Sequence, residues 1–104
     1  MNADGSVNYS AFAIVMQDNI DRGVHGFWTA GGTGESVLLA DDEIMKIAEI
    51  SAKLCRKAGV LNIMHVGAIT TARSVALAKH AAKVGCDAIC AVPPFFYNAV
   101  CAHL

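Results

Sequence analysis

Charge of either sign is scarce in this chain. Of its 104 residues 16% are Asp, Glu, Lys or Arg, and 8 basic side chains stand against 9 acidic ones. A nucleic-acid binder carries a basic excess or stripe, and a disordered chain combines net charge with few apolar residues, so both classes are excluded. A long unbroken apolar run is lacking too. The longest stretch without a charged residue, Ala88 to Leu104, is interrupted by Pro93, Pro94 and Asn98. It falls short of the roughly 20 apolar residues a spanning helix needs, so no membrane segment is expected. The opening Met1-Asn2-Ala3-Asp4-Gly5-Ser6 has no basic region leading into an apolar core. No signal peptide is visible, and a cytoplasmic location is expected. Cys55, Cys86, Cys90 and Cys101 lie at no zinc-like spacing. They are expected to be reduced, small core residues, with no metal site.

Apolar residues are what the chain has in abundance: 55% of it is hydrophobic, with a mean hydropathy of +0.45. A domain of about 100 residues exposes much of its surface and needs polar cover. This composition instead resembles the middle of a large α/β protein.

One unit occurs three times. An amphipathic stretch ends in a cation just before a glycine (Arg22-Gly23, Lys57-Ala58-Gly59, Lys83-Val84-Gly85), and a short apolar run follows. Glycine past a helix end takes the left-handed cap, and the cation opposes the negative end of the helix dipole, so each glycine marks a helix stop. The runs Gly26–Ala30, Leu61–Val66 and Ala88–Val92 have strand length and little charge, as parallel strands covered on both faces do.

The helices are expected at about Tyr9–Ile20 after an Asp4-Gly5 turn and an Asn8 cap, then across Asp42–Ala58, then at Thr71–Val84. In the second, Ile44, Ile47, Ala48, Ser51, Leu54, Cys55 and Ala58 form one face at helical spacing. Asp42 with Lys46 and Glu49 with Lys53 are expected as i,i+4 pairs on the solvated face. The third helix is expected to bury Leu77, Ala78, Ala81 and Val84. Helix–strand alternation implies a parallel sheet, either doubly wound or part of a (β/α)8 barrel. Three strands are too few for the first, and a complete barrel takes about 250 residues.

In such folds the chemistry sits where strands end. The first run is followed by Gly31-Gly32-Thr33-Gly34-Glu35-Ser36, a turn whose amides and hydroxyls suit an anion, though an unliganded βα turn has the same composition. It is neither a Walker loop nor a dinucleotide fingerprint. The second run leads into Gly67-Ala68-Ile69-Thr70-Thr71, and the third into Pro93-Pro94-Phe95-Phe96-Tyr97-Asn98. His65 reads as a core histidine with a satisfied hydrogen bond, and Phe27 and Trp28 as core or barrel wall.

Asp4-Gly5-Ser6-Val7-Asn8-Tyr9, Gly31 to Ser36, His65-Val66-Gly67-Ala68 and Pro94-Phe95-Phe96-Tyr97-Asn98, in this order and at these separations, resemble the dihydrodipicolinate synthase and N-acetylneuraminate lyase family of pyruvate-handling class I aldolases. The resemblance covers nearly all of the chain but about a third of a family member, from the barrel's first helix to its fourth strand. It implies α/β architecture as a partial (β/α)8 TIM barrel of about three helix–strand units, a single partial-barrel domain over 1–104 with a non-matching tail at 99–104. The loss of resemblance in that tail is expected of a truncated or wrongly joined reading frame.

For a full-length relative the resemblance implies a lysine on the sixth strand that forms a Schiff base with pyruvate or another 2-oxo acid, aided by a tyrosine of the fifth, with carbon–carbon bond cleavage or formation beside it. No metal, nucleotide or other cofactor is implied, and homo-oligomers are. Neither catalytic residue falls within this chain, so it is expected to be inactive alone. Its lysines 46, 53, 57, 79 and 83 are expected on solvent-facing helix surfaces. Substrate-carboxylate binding carries over to Gly32 and Thr33, with Gly32 where a serine or threonine is usual. The tyrosine of the family's proton relay corresponds to Phe96, which transfers no proton, while Tyr97 in extended chain faces the other way. Phe95 corresponds to an aromatic of a tight dimer contact. Phe96 and His65 to Ala68 lean toward the lyases, Glu35-Ser36 toward the synthases. Two other readings stay open: a non-catalytic part-barrel that pairs with a partner or itself, and a small α/β module whose glycine turn holds an anion.

Overall fold

A computed structural model describes residues 1–93. Helix α1 (Tyr9–Asp21) leads to strand β1 (Gly26–Thr29), α2 (Asp41–Ala58) to β2 (Leu61–His65), and α3 (Thr71–Val84) to β3 (Ala88–Cys90), with a short 3-10 turn at Ser36–Leu38. The strands form one parallel sheet in the order β1-β2-β3. Gly26 to Thr29 pair with Leu61 to Met64, and Ile63 to His65 with Ala88 to Cys90.

Local chemistry sets the element ends. The Asn8 side chain accepts from the Ala11 amide at 2.9 Å and caps α1. Helix α2 opens on Asp41, Asp42 and Glu43 and closes on Arg56 and Lys57, which complements its dipole at both ends. Gly23, Gly59 and Gly85 have φ of 90°, 70° and 89°, so the three expected stops are left-handed caps.

Helix α2 packs on β1 and β2, α3 on β3, and α1 on α2. The core between these layers is built from Ile44, Ile47, Met64, Val66, Leu77 and Ala81. Two expectations need correction, and one of two alternatives is selected. Ala58 is exposed and Leu54 half-buried, while Ala52 is buried. The cause is that α2 touches α1, α3 and both strands at once, which widens its buried arc. The pairs Asp42–Lys46 and Glu49–Lys53 do not form among the described residues. Glu49 instead lies 3.3 Å from Lys46 Nζ and 3.4 Å from His80 Nε2 of α3. Trp28 is not a core residue within these 93 residues: it is 65% exposed on the sheet face away from the helices, as a barrel-wall side chain is.

A polar zipper crosses the helix–sheet boundary. Thr29 Oγ1 donates to Asn62 Oδ1 at 2.8 Å, Asn62 Nδ2 donates to Ser51 Oγ at 2.9 Å, and the Asn62 amide donates to Asp87 Oδ2 at 2.8 Å. Asn62 and Ser51 are fully buried, so each satisfies the other where water cannot.

Candidate functional site

The C-terminal ends of the strands bring the three loops around one cleft of about 260 Å³. Gly32 and Ser36 come from the turn after β1, His65, Gly67 and Ala68 from the end of β2, and Val92 and Pro93 from the exit of β3.

The glycine turn is tightly wound: the Glu35 amide donates to the Gly32 carbonyl at 3.0 Å and the Ser36 amide to the Gly31 carbonyl at 3.4 Å. Ala30 and Glu35 flank it with φ of 55° and 52°. Two side-chain-bearing residues held left-handed at either end of one loop are a local strain that the surrounding fold must support. Space explains two of the glycines. A Cβ on Gly31 would come within 3.0 Å of Trp28 Nε1, and one on Gly34 within 3.1 Å of the Ala30 backbone. Gly32 has nothing within 4 Å of that position, so a side chain would fit there. Among the described residues the amides of Gly31, Gly32, Thr33 and Gly34 have no hydrogen-bond acceptor.

The turn has two sides, and the expected binding pair divides between them. Gly32 lines the cleft that also holds His65 and Val92, and it borders a second, more open hollow against Trp28. Thr33 lines that second hollow and not the cleft. Phe95 and Phe96, the expected dimer contact and relay position, lie outside the described residues, as do Tyr97, Cys101 and the 99–104 tail.

His65 is buried, and the expected satisfied hydrogen bond is half present. Its Nε2 accepts from the Val92 amide at 3.3 Å, while Nδ1 has no partner among the described residues. Burial holds its pKa below the ordinary 6.5. Burial likewise raises the thiols of Cys86 and Cys90 and pushes Cys55 up to about 11, so these are weakly nucleophilic at neutral pH. All five lysines are exposed on α2 or α3, and none lines the cleft. Among the described residues no three His, Cys, Asp or Glu side chains are grouped to hold a metal, and no helix is long and apolar enough to cross a membrane.

Two site residues escaped the sequence. Arg73 pairs with Asp41 through Nε and donates from Nη2 to the Leu39 carbonyl at 3.1 Å. Ser74 Oγ accepts from the Ala68 amide at 2.9 Å. The first turn of α3 thus braces the loops on both sides of the cleft. Arg73 reads on sequence as an ordinary surface cation; the signal was its place in the turn directly after a strand-end loop.

The whole chain, residues 1–104, matches the Dihydrodipicolinate synthetase family. It is 36% identical over 98 residues to an N-acetylneuraminate lyase of Pasteurella multocida, covering 93% of this chain and 33% of that protein. It is 34% identical over 96 residues to a 4-hydroxy-tetrahydrodipicolinate synthase of Acidiphilium cryptum, covering 92% of this chain and 32% of the relative. Among solved structures it superposes with a TM-score of 0.88 and 25% identity on the Escherichia coli prophage protein YagE in complex with pyruvate, covering 96% of this chain and 33% of that one. A dihydrodipicolinate synthetase described as putative, from Pseudomonas aeruginosa, superposes at 0.86 with 30% identity, covering 94% and 33%. The chain spans about a third of the length of these relatives, so its three helix–strand units are a partial (β/α)8 barrel. It belongs to the dihydrodipicolinate synthetase family.

Proposed function

We propose that this chain forms the N-terminal third of a Schiff-base lyase or aldolase acting on pyruvate or another 2-oxo acid, and that its glycine turn receives the substrate carboxylate. The observation that carries this reading is the row of amides from Gly31 to Gly34, without acceptors among the described residues, at the C-terminal end of β1 beside the cleft. Such a row is a nest for an anion, and the Thr33 hydroxyl adds a donor on one side. The neighbour YagE is in complex with pyruvate, which supplies a carboxylate of the right size.

By the Schiff-base route, carbon–carbon chemistry beside a ketone uses an imine as electron sink, and that takes an unprotonated lysine in a pocket. The exposed lysines of α2 and α3 are placed in water and away from the cleft. This chain alone is accordingly inactive, with carboxylate binding as its contribution and the nucleophile supplied from the remaining barrel.

The test is pyruvate with borohydride. No stable adduct is expected on any lysine of the 104-residue chain; an adduct would place a catalytic amine within it. When the chain is joined to the later strands of a relative, pyruvate is expected to shift the Thr33 and Gly34 amides while acetone leaves them unmoved. Equal shifts with both compounds would remove the carboxylate from this turn.

A further inference from the structure

We propose that His65 is a positioning residue: its imidazole takes the place of a main-chain carbonyl in the β2–β3 ladder, and so aims the chain leaving β3 across the cleft from the glycine turn. In a regular parallel ladder one residue bonds its neighbour strand on both sides, at evenly spaced, slanted positions. Val66 makes the first of these bonds, its amide donating to the Cys90 carbonyl at 2.8 Å. The second would join the Val92 amide to the Val66 carbonyl. That amide donates instead to His65 Nε2 at 3.3 Å, and β3 ends at Cys90.

Two further observations point the same way. Gly67 lies against the clasp so closely that a Cβ there would stand 2.8 Å from His65 Nε2 and 3.1 Å from the Val92 amide nitrogen. Neither the buried ring nor the backbone can yield cheaply, so glycine at 67 is required by the clasp and not by a turn. His65, Gly67 and Val92 also line the same cleft as Gly32. Since Nε2 accepts, the proton of the neutral ring sits on Nδ1.

A doubly protonated imidazole has no acceptor left, so acid must open the clasp. Among the described residues, the ionisable groups that share the cleft or the strand register with His65 are Arg73 of α3, held by Asp41 at the start of α2, and Cys90 on β3. Strand β1, Gly26–Thr29, presents none.

The consequence for ligand binding rests on the carboxylate reading above; the clasp itself does not. The experiment uses the full chain, 15N-labelled and joined to the later strands of a relative as in the pyruvate test, as wild type and as His65→Leu, His65→Gln and Gly67→Ala. In the wild type the His65 nitrogen signals should show protonated Nδ1 and bare Nε2. Val92 amide protection, taken relative to the intrinsic exchange rate at each pH, should fall as pH drops below 6.5, in step with His65 titration. In His65→Leu and Gly67→Ala, Val92 should exchange about tenfold faster than in the wild type, the scale of one hydrogen bond, while Met64 is unchanged. His65→Gln, whose amide oxygen can accept, should restore protection. Pyruvate affinity should fall by about fivefold in the first two variants and recover in the third. A proton on Nε2 in the wild type, or Val92 exchange indifferent to His65 titration, would overturn the proposal even if every variant misfolds. A wild type with the clasp but without pyruvate binding would support the positioning geometry and remove the carboxylate reading instead.

Discussion

Gly32 and Thr33 are the two positions where a single atom decides what the turn can hold. Thr33→Val keeps the shape and removes one donor, so pyruvate affinity in a completed barrel should weaken by about 1 kcal/mol or somewhat more; calorimetry showing equal affinity would take Thr33 out of the site. Gly32→Ser is the converse change. Open space around Gly32 lets the side chain in, so thermal stability should shift by less than about 0.5 kcal/mol, and a melting point many degrees lower would show a constraint at this glycine that its surroundings do not reveal. The buried titrating groups set the pH limits. Between pH 9.0 and about 11 the unfolded Cys55 thiol ionises while the folded one stays protonated. The unfolded chain then holds fewer protons, so stability is full below that window and is lost across it. His65 acts at the other end. As pH drops below 6.5 the unfolded imidazole takes a proton before the folded one does, and stability falls until the lowered folded pKa is passed. Urea midpoints from pH 5 to 11, at fixed chain concentration, should fall off at both ends; a flat acid limb would mean that His65 is not held neutral by the fold.

At the scale of elements, what the sequence could show and what it could not divide by range. Each helix stop was legible because a cation, a glycine and an apolar run stand next to one another, and all three glycines are left-handed caps. The Asn8 cap was equally local. The residues that fix how elements sit against each other were not legible, because their partners are remote. Asn62 reads as an odd polar residue in an apolar run until Thr29 and Ser51 arrive from another strand and a helix. Arg56 reads as a last-turn cation, yet it donates to the Val84 carbonyl at 2.7 Å and closes α3 from α2. Arg73 reaches Leu39 in the same way. Asn62→Ala removes the acceptor of Thr29 and a donor to Ser51 together, leaving buried hydroxyls short of partners. A loss of about 2 to 4 kcal/mol is expected in chemical denaturation, with Asn62→Asp no better, since it buries a charge. A loss under about 0.5 kcal/mol would show that the zipper is replaced by water.

Across the described residues the molecule is an open sheet, and its exposure follows from that. Among those residues β1 and β3 are both edges, each with a row of main-chain donors and acceptors on its free side. Trp28, Leu61 and Val92, on the face away from the helices, are 65%, 59% and 51% exposed, although residues of these types are ordinarily covered. In a closed barrel the strands of the far side fill that interior in layers. Here the helices cover one face only, and the edges carry none of the usual protection: the strand residues include no lysine, no other charge and no proline. Parallel pairing is also slow to form, so the same surfaces stay open during folding. The 104-residue chain is therefore expected to self-associate at micromolar concentration, with sedimentation velocity showing species larger than 10.9 kDa whose size grows with concentration. Trp28→Lys sets a charge on the open face and should reduce that growth without altering helix content, because Trp28 contributes nothing to the core of Ile44, Ile47, Met64 and Leu77. A concentration-independent monomer with a cooperative melt would mean that the exposed face closes on itself, and the partial barrel would then be a complete folding unit.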